Sequence, residues 1–250
     1  MRRDVLELRQ FYASALGGAA REMVTRKVVE AWDGAAGLDV LGLGYATPYL
    51  GALRPSARRT VAAMPAQQGV EVWPAGEPAN LACLAAEDAL PFGNALFDRI
   101  LCVHALEESP DPLAMLREVW RVLAPSGRAI IVVAARNGLW ANSEGTPFGH
   151  GRPYTRSQLA ELLREAELEP FGWTRALYAP PVSWMAGWAE GFEMVGSRLW
   201  PQFAGLVLME AVKQTFAVKP KGKPVRARVA RPVLAPAPAG HAPAAQTLPD

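Results

Sequence analysis

Cysteine is nearly absent: Cys83 and Cys102 are the only two thiols in 250 residues, and no CxxC spacing joins them. That scarcity excludes a disulfide framework and a structural zinc site, and both thiols read as core residues. Long apolar runs are missing too. No stretch approaches the about eighteen uncharged residues of a membrane-spanning helix, and the amphipathic start, acidic from Asp4 onward, does not match a signal peptide. A cytoplasmic protein without a transmembrane segment is expected. Internal repeats are absent as well, which excludes a solenoid. What is present, 50% hydrophobic, 20% charged and 8% aromatic residues, describes a folded chain with one large core.

The net charge of +2 is unevenly spread. From Ala217 onward six basic residues (Lys219, Lys221, Lys223, Arg226, Arg228 and Arg231) face only Asp250, a local +5 that leaves −3 on residues 1–216. A mildly acidic body argues against a specific nucleic-acid partner. The tail can touch RNA, DNA or an anionic lipid surface weakly, or serve as a solubilising linker. Seven of the 22 prolines lie in residues 217–250, so this basic Pro/Ala-rich segment is expected to be disordered, with residues 1–216 as one domain.

Two N-terminal helices within residues 1–34 are expected, over 4–16 (Val5, Leu8, Tyr12 and Leu16 on one face) and 20–32. The apolar run 38–44 reads as a first buried strand ending in a glycine turn, with further strands at 59–63, 70–73 and 98–103. Asp111-Pro112 caps a helix carrying Leu113, Leu116, Trp120 and Leu123. Residues 128–134 are apolar and β-branched, so this strand should be central. Thr155-Arg-Ser-Gln158 has capping-box spacing, and strands at 173–178 and 205–212 close the pattern. Such alternation implies a doubly wound α/β fold, with a mostly parallel seven-stranded sheet and helices on both faces. Ligands in such sheets sit at the carboxyl ends of the strands.

The turn after the first strand reads Val40-Leu-Gly-Leu-Gly-Tyr-Ala-Thr-Pro-Tyr49. Downstream come Glu87-Asp-Ala-Leu-Pro-Phe92, Leu96-Phe-Asp98 and Leu116-Arg-Glu-Val-Trp-Arg-Val-Leu-Ala-Pro-Ser-Gly127. In this order and spacing, residues 36–135 resemble the cofactor-binding core of class I S-adenosylmethionine-dependent methyltransferases, the small group called type 11. Leu139-Trp-Ala-Asn-Ser-Glu-Gly145 and Thr146-Pro-Phe-Gly-His-Gly-Arg-Pro-Tyr-Thr155 resemble a bacterial methyltransferase-like subgroup, a likeness reaching about residue 216. The resemblance implies a Rossmann-like sheet and S-adenosylmethionine as cofactor but does not supply the acceptor; a small or apolar acceptor and no metal are expected.

Gly42 and Gly44 permit a tight turn and close backbone approach, and the helix N-terminus after them can accept a carboxylate. The resemblance places the methionine part of the cofactor here, beside Tyr45 and Ala46. The family's acid and its three alternating glycines fall in register on Gly42, Gly44, Ala46 and Pro48; two glycines remain and the acid is gone. The stretch Ala62-Ala-Met-Pro-Ala-Gln-Gln68 also lacks the usual carboxylate for the ribose hydroxyls. Losing a hydrogen bond to a charged group costs about 1.5–3 kcal/mol, roughly tenfold to a hundredfold in affinity. Gln67 or Gln68 can stand in as a neutral partner. Where relatives present an acid to the adenine amino group, this chain has Asp88, Ala89 and Leu90; a solvated acidic loop is the other reading.

His104 follows the fourth strand at a position facing the cleft in this fold, where an imidazole can orient a substrate, accept its proton, or simply cap the strand. Glu107 and Glu108 can supply an acid beside it, with surface placement as the default reading. In the loop after the central strand, Trp140, His150, Arg152 and Tyr154 are candidate substrate contacts, and Arg152 can pair with an anionic substrate or an internal acid. His104 and Arg152 are the candidate catalytic residues. Residues 180–201, with Trp184, Met185, Trp188, Phe192, Met194 and Trp200, read as a helical core element, or as a lid, greasy wall or membrane-touching face. No Asn-Pro-Pro-Tyr motif points to base methylation. Three functions stay open: a methyltransferase, a noncatalytic binding or regulatory protein with a degenerate cofactor site, or a nonspecific RNA-associated protein working through the basic tail.

Overall fold

The computed structural model describes residues 2–182, 187, 191, 193, 195, 196 and 203–214. The expected tail, and the Trp, Met and Phe side chains singled out in 180–201, lie outside the described residues.

Two polar caps divide the N-terminal apolar stripe into two helices. Asp4 caps α1 (Val5–Ala13) by accepting from the Leu6 amide, and Ser14 caps α2 (Ala15–Trp32) by accepting from Gly17. The corner between them is tight enough to need Gly17, where a Cβ would stand 2.0 Å from the Phe11 carbonyl oxygen. That cap is why α2 starts at Ala15 and not near Ala20. The chain continues through β1 (Asp39–Gly44), the single turn α3 (Thr47–Leu50), β2 (Arg59–Pro65), β3 (Ala82–Ala85) and β4 (Phe97–Val103). Then follow α4 (Pro112–Val122), β5 (Leu123–Ala134), α5 (Arg156–Glu165), β6 (Leu168–Ala176) and β7 (Leu206–Lys213). Asp111 caps α4 ahead of Pro112, and Thr155 and Gln158 form the expected capping box on α5.

The seven strands lie in the order β3-β2-β1-β4-β5-β7-β6, and β7 alone runs against the rest. This is the expected doubly wound, mostly parallel sheet. One strand is corrected: residues 70–73 are not extended into the sheet, and Ala82–Ala85 takes the place beside β2. Val70 and Val72 are 43% and 61% exposed, so the run is too solvated to join a buried strand. β5 is interior, between β4 and β7, as its apolar composition requires.

Both faces of the sheet are covered. On one, Leu8, Val24, Val28 and Trp32 pack over Val40, Leu101 and Ile130; on the other, Leu116, Val119, Leu159 and Leu163 pack over Leu41, Ile100 and Ile131. Among the described residues no helix is long and apolar enough to cross a membrane. The strand order reverses between β1 and β4, so a ligand crevice belongs at their carboxyl ends.

Candidate functional site

The turn that closes β1 is pulled hard onto β4. Gly44 takes φ +83°, the Tyr45 amide donates to the Val103 carbonyl at 2.8 Å, and a Cβ on Gly44 would stand 2.2 Å from that carbonyl oxygen. A Cβ on Gly42 would meet Leu50 and Ala46 at 2.7 and 2.8 Å. Both glycines are therefore demanded by the chain's own packing. The expected helix N-terminus for a carboxylate is not formed, because α3 is one turn long and ends at Gly51.

Tyr12, from α1, fills the crevice beside this turn. Its hydroxyl lies 2.6 Å from the Tyr49 hydroxyl and 2.7 Å from His104 Nε2, and its ring stacks on Tyr45. His104 sits at φ +50° with its ring 4.4 Å from that of Phe148. Burial without a compensating charge pulls its pKa down to about 3. A neutral, buried imidazole of that pKa does not take up a substrate proton near pH 7. In this arrangement His104 anchors Tyr12, which corrects its expected place in an open cleft.

Residues 2–5 cross the mouth of the crevice. The Arg2 side chain, 2% exposed, pairs with Glu87 Oε2 at 2.5 Å and donates to the Ala105 carbonyl at 3.0 Å. The Arg3 amide donates to Glu108 Oε2 at 2.7 Å, and the Val5 amide to the Gln68 carbonyl at 2.8 Å. A cavity lies on each side of this strap. One, of about 220 Å³, is lined by Gln67, Glu87 and Asp88 beyond β2 and β3. The other, of about 360 Å³, is lined by Glu107, Glu108, Arg152 and Tyr154 beyond β4 and β5. Arg2, Gln67, Ser109 and Pro110 belong to both walls, so Arg2 acts as the partition.

Glu107 is 6% exposed and not the surface acid its sequence context suggests. It reaches inward from the turn after β4, where Oε1 accepts from the Ala134 amide at 3.2 Å. Burial pushes its pKa up to about 7, against the pull of backbone amides and Arg2.

The sequence candidates divide into those that meet a cavity and those that do not. Gln67 and Asp88 are exposed on the smaller cavity; Arg152 and Tyr154 line the larger one. Gly42, Gly44, Tyr45 and Ala46 are sealed under the crevice, and Ala89 and Leu90 stand outside both walls. Trp140 is corrected from substrate contact to core: its indole donates to the Ala179 carbonyl at 2.8 Å and presses on Gly205. His150 is held by Arg3 and the Glu144 carbonyl, away from both cavities. Arg2 and Tyr12 are the residues that sequence reasoning missed. Tyr12 sat on the apolar stripe of α1 and read as core, and nothing local marks Arg2.

With this geometry in place, residues 38–131 match the family model described as a methyltransferase domain. Over this segment the chain is similar to a methyltransferase domain. Among solved structures, an S-adenosylmethionine-dependent methyltransferase from Mesorhizobium loti superposes with a TM-score of 0.57 at 14% identity, covering 79% of this chain and 100% of that one. A methyltransferase of the same cofactor class from Thermotoga maritima gives 0.53 at 18% identity, covering 84% and 92%. The cyclase SpnF gives 0.54 at 21% identity, covering 77% and 80%. At these identities the likeness is one of fold. Curated relatives from Mycobacterium bovis and Mycobacterium tuberculosis, named as uncharacterised proteins, are 29% identical over 104 residues, or 39% of this chain. The chain spans 36% of the length of these relatives.

Proposed function

We propose that the domain binds S-adenosylmethionine at the carboxyl ends of β1, β2 and β4 and methylates a small acceptor. The observation that carries this reading is the pair of cavities separated only by an N-terminal strap. The smaller, at about 220 Å³, is below the about 300–1,000 Å³ usual for a small-molecule site, and the two together fall inside it.

The residues fit the nucleoside half of such a cofactor. Gln67 and Asp88 offer a neutral and an acidic hydrogen-bond partner on the smaller cavity, and Glu87 Oε1 is buried with no partner among the described residues. The methionine half is filled by Tyr12 and closed by Arg2, so the strap must shift for the whole cofactor to enter. When bound, the cofactor supplies an activated methyl group. The chain's own part is alignment and exclusion of water: Tyr12, Tyr45, Tyr49 and Phe148 wall the crevice, and Arg2 returns over its mouth.

The same filling supports a second reading, a noncatalytic protein that keeps the scaffold while its own side chains occupy the cofactor crevice. Calorimetric titration with S-adenosylmethionine and S-adenosylhomocysteine separates the two. Micromolar binding that weakens in Gln67→Ala or Asp88→Ala supports the methyltransferase. No heat up to millimolar ligand sinks that reading and leaves the second.

A further inference from the structure

Buried polar atoms without a hydrogen-bond partner gather at one place. Arg2 Nε, Glu107 Oε2, Ser109 Oγ and Tyr154 Oη are all buried without a hydrogen-bond partner among the described residues, Arg2 Nε standing 3.9 Å from Glu108 Oε2, and all four residues line the about 360 Å³ cavity. Each such orphan costs about 1–3 kcal/mol, so a fold keeps several together only where something else satisfies them. The set is mixed in character. Arg2 Nε donates only, the ionised carboxylate of Glu107 accepts only, and the two hydroxyls do either. Arg152 stands on the same wall, and its backbone amide donates to the Glu107 carbonyl at 2.7 Å. Gly151 lets that loop lie close, since a Cβ there would stand 2.5 Å from the same carbonyl oxygen.

We infer that this cavity binds a small molecule carrying a hydroxyl or amino group beside a hydrogen-bond acceptor, its O–H or N–H donating to Glu107 Oε2 and its acceptor facing Tyr154 and Arg2. An apolar occupant would leave all four orphans unpaired, which is why the apolar acceptor left open by the sequence is set aside here. The inference deepens the methyltransferase reading and rests on it in one respect: the bound hydroxyl or amine is then the group to be methylated. Glu107, poised by burial between its charged and neutral forms near neutrality, is the group that can hold the proton such an acceptor gives up.

The test uses the full chain without cofactor, labelled with carbon-13 at the glutamate carboxyl carbons and titrated with phenol, benzylamine and toluene. Phenol or benzylamine should move the Glu107 signal at millimolar concentration, and toluene should not. That binding should fall about tenfold in Glu107→Gln and severalfold in Tyr154→Phe, and stay unchanged in the exposed Glu161→Gln control. Should Glu107→Gln not fold, the Tyr154→Phe arm decides alone. A Glu107 signal that no probe moves, toluene binding as well as phenol, or unchanged binding in Tyr154→Phe each overturns the proposal. Because no cofactor is present, a failure to bind S-adenosylmethionine by calorimetry would remove the methyltransferase reading and leave this site standing.

Discussion

Asp39 and Glu107 are both buried carboxyl groups at strand ends of one sheet, and their surroundings drive them in opposite directions. Asp39, at the start of β1, accepts from Arg58 Nε and Nη2 and from Arg59 Nη2 at 2.7 to 3.0 Å, and these hydrogen bonds hold its pKa at about 2. Glu107, beyond the end of β4, has an amide on Oε1 and nothing on Oε2, and burial raises it to about 7. At the amino end of the sheet both oxygens of Asp39 accept from arginines; at the carboxyl end Glu107 Oε2 is left open. The difference lies in the partners: two arginines bond the Asp39 carboxylate, whereas one oxygen of Glu107 has no hydrogen-bond partner among the described residues and is free for the ligand proposed above.

The largest effect that sharpens this contrast is expected at Gly44. Gly44→Ala forces a Cβ into the Val103 carbonyl at a positive φ, and should cost about 3 kcal/mol or more in chemical denaturation. A loss under about 1 kcal/mol would show that the β1–β4 junction is looser than described. The same strain makes Gly44 substitutions poor controls for ligand binding, because they act on the fold first.

Next in size are two opposed pH dependences at the carboxyl end. Glu107, surrounded by Glu108, Arg2, Tyr12, Tyr49, Tyr154 and Cys102, is raised from its ordinary 4.5 to about 7. Between those values the folded form holds a proton that the unfolded form has lost, so stability falls as pH rises. His104 is lowered from 6.5 to about 3, so between those values the unfolded form holds the extra proton and stability falls as pH drops. From pH 4.5 to 6.5 the two slopes, each about 1.4 kcal/mol per pH unit, nearly cancel in the wild type. Denaturant melts should vary less with pH in that window for the wild type than for a variant lacking either group. Stability should be lost toward acid in Glu107→Gln and gained toward acid in His104→Asn; identical profiles for all three would break the contrast.

Smaller changes complete the series. Tyr12→Phe removes the hydroxyl shared by Tyr49 and His104 and should cost about 1–2 kcal/mol. Asp39→Asn should cost about 1 kcal/mol, limited by the solvent exposure of both arginines, and the wild-type contribution should vanish as pH falls from about 4 toward 2. A neutral Asp39→Asn would mean that the amino-end pairs hold nothing.

Much of this molecule was legible from local rules. The capping box at Thr155, the Asp111-Pro112 helix start and the apolar run of β5 each encode their element within a few residues, although β5 begins at Leu123, which the helical spacing gives to α4. The third strand escaped because Ala82–Ala85 is short and unremarkable in composition, and only its pairing with β2 makes it a strand. The site was legible by half. Gln67, Asp88, Arg152 and Tyr154 reach cavities, as loop residues after parallel strands tend to do. What fills the crevice comes from the far N-terminus: Arg2 meets Glu87, and Tyr12 meets His104, across separations that no local pattern reports. Glu107 was legible in place but not in burial, which depends on the loop at Gly151 folding back over it.

The most direct measurement is amide hydrogen exchange with and without S-adenosylhomocysteine, read at residues 2–12 and 104–109 against residues 38–40 and 58–60. Exchange should change at the strap and at the turn after β4 while the amino end stays as it was. Unchanged exchange at the strap under millimolar ligand, or an equal change at both ends, would contradict a ligand site at the carboxyl end of this sheet.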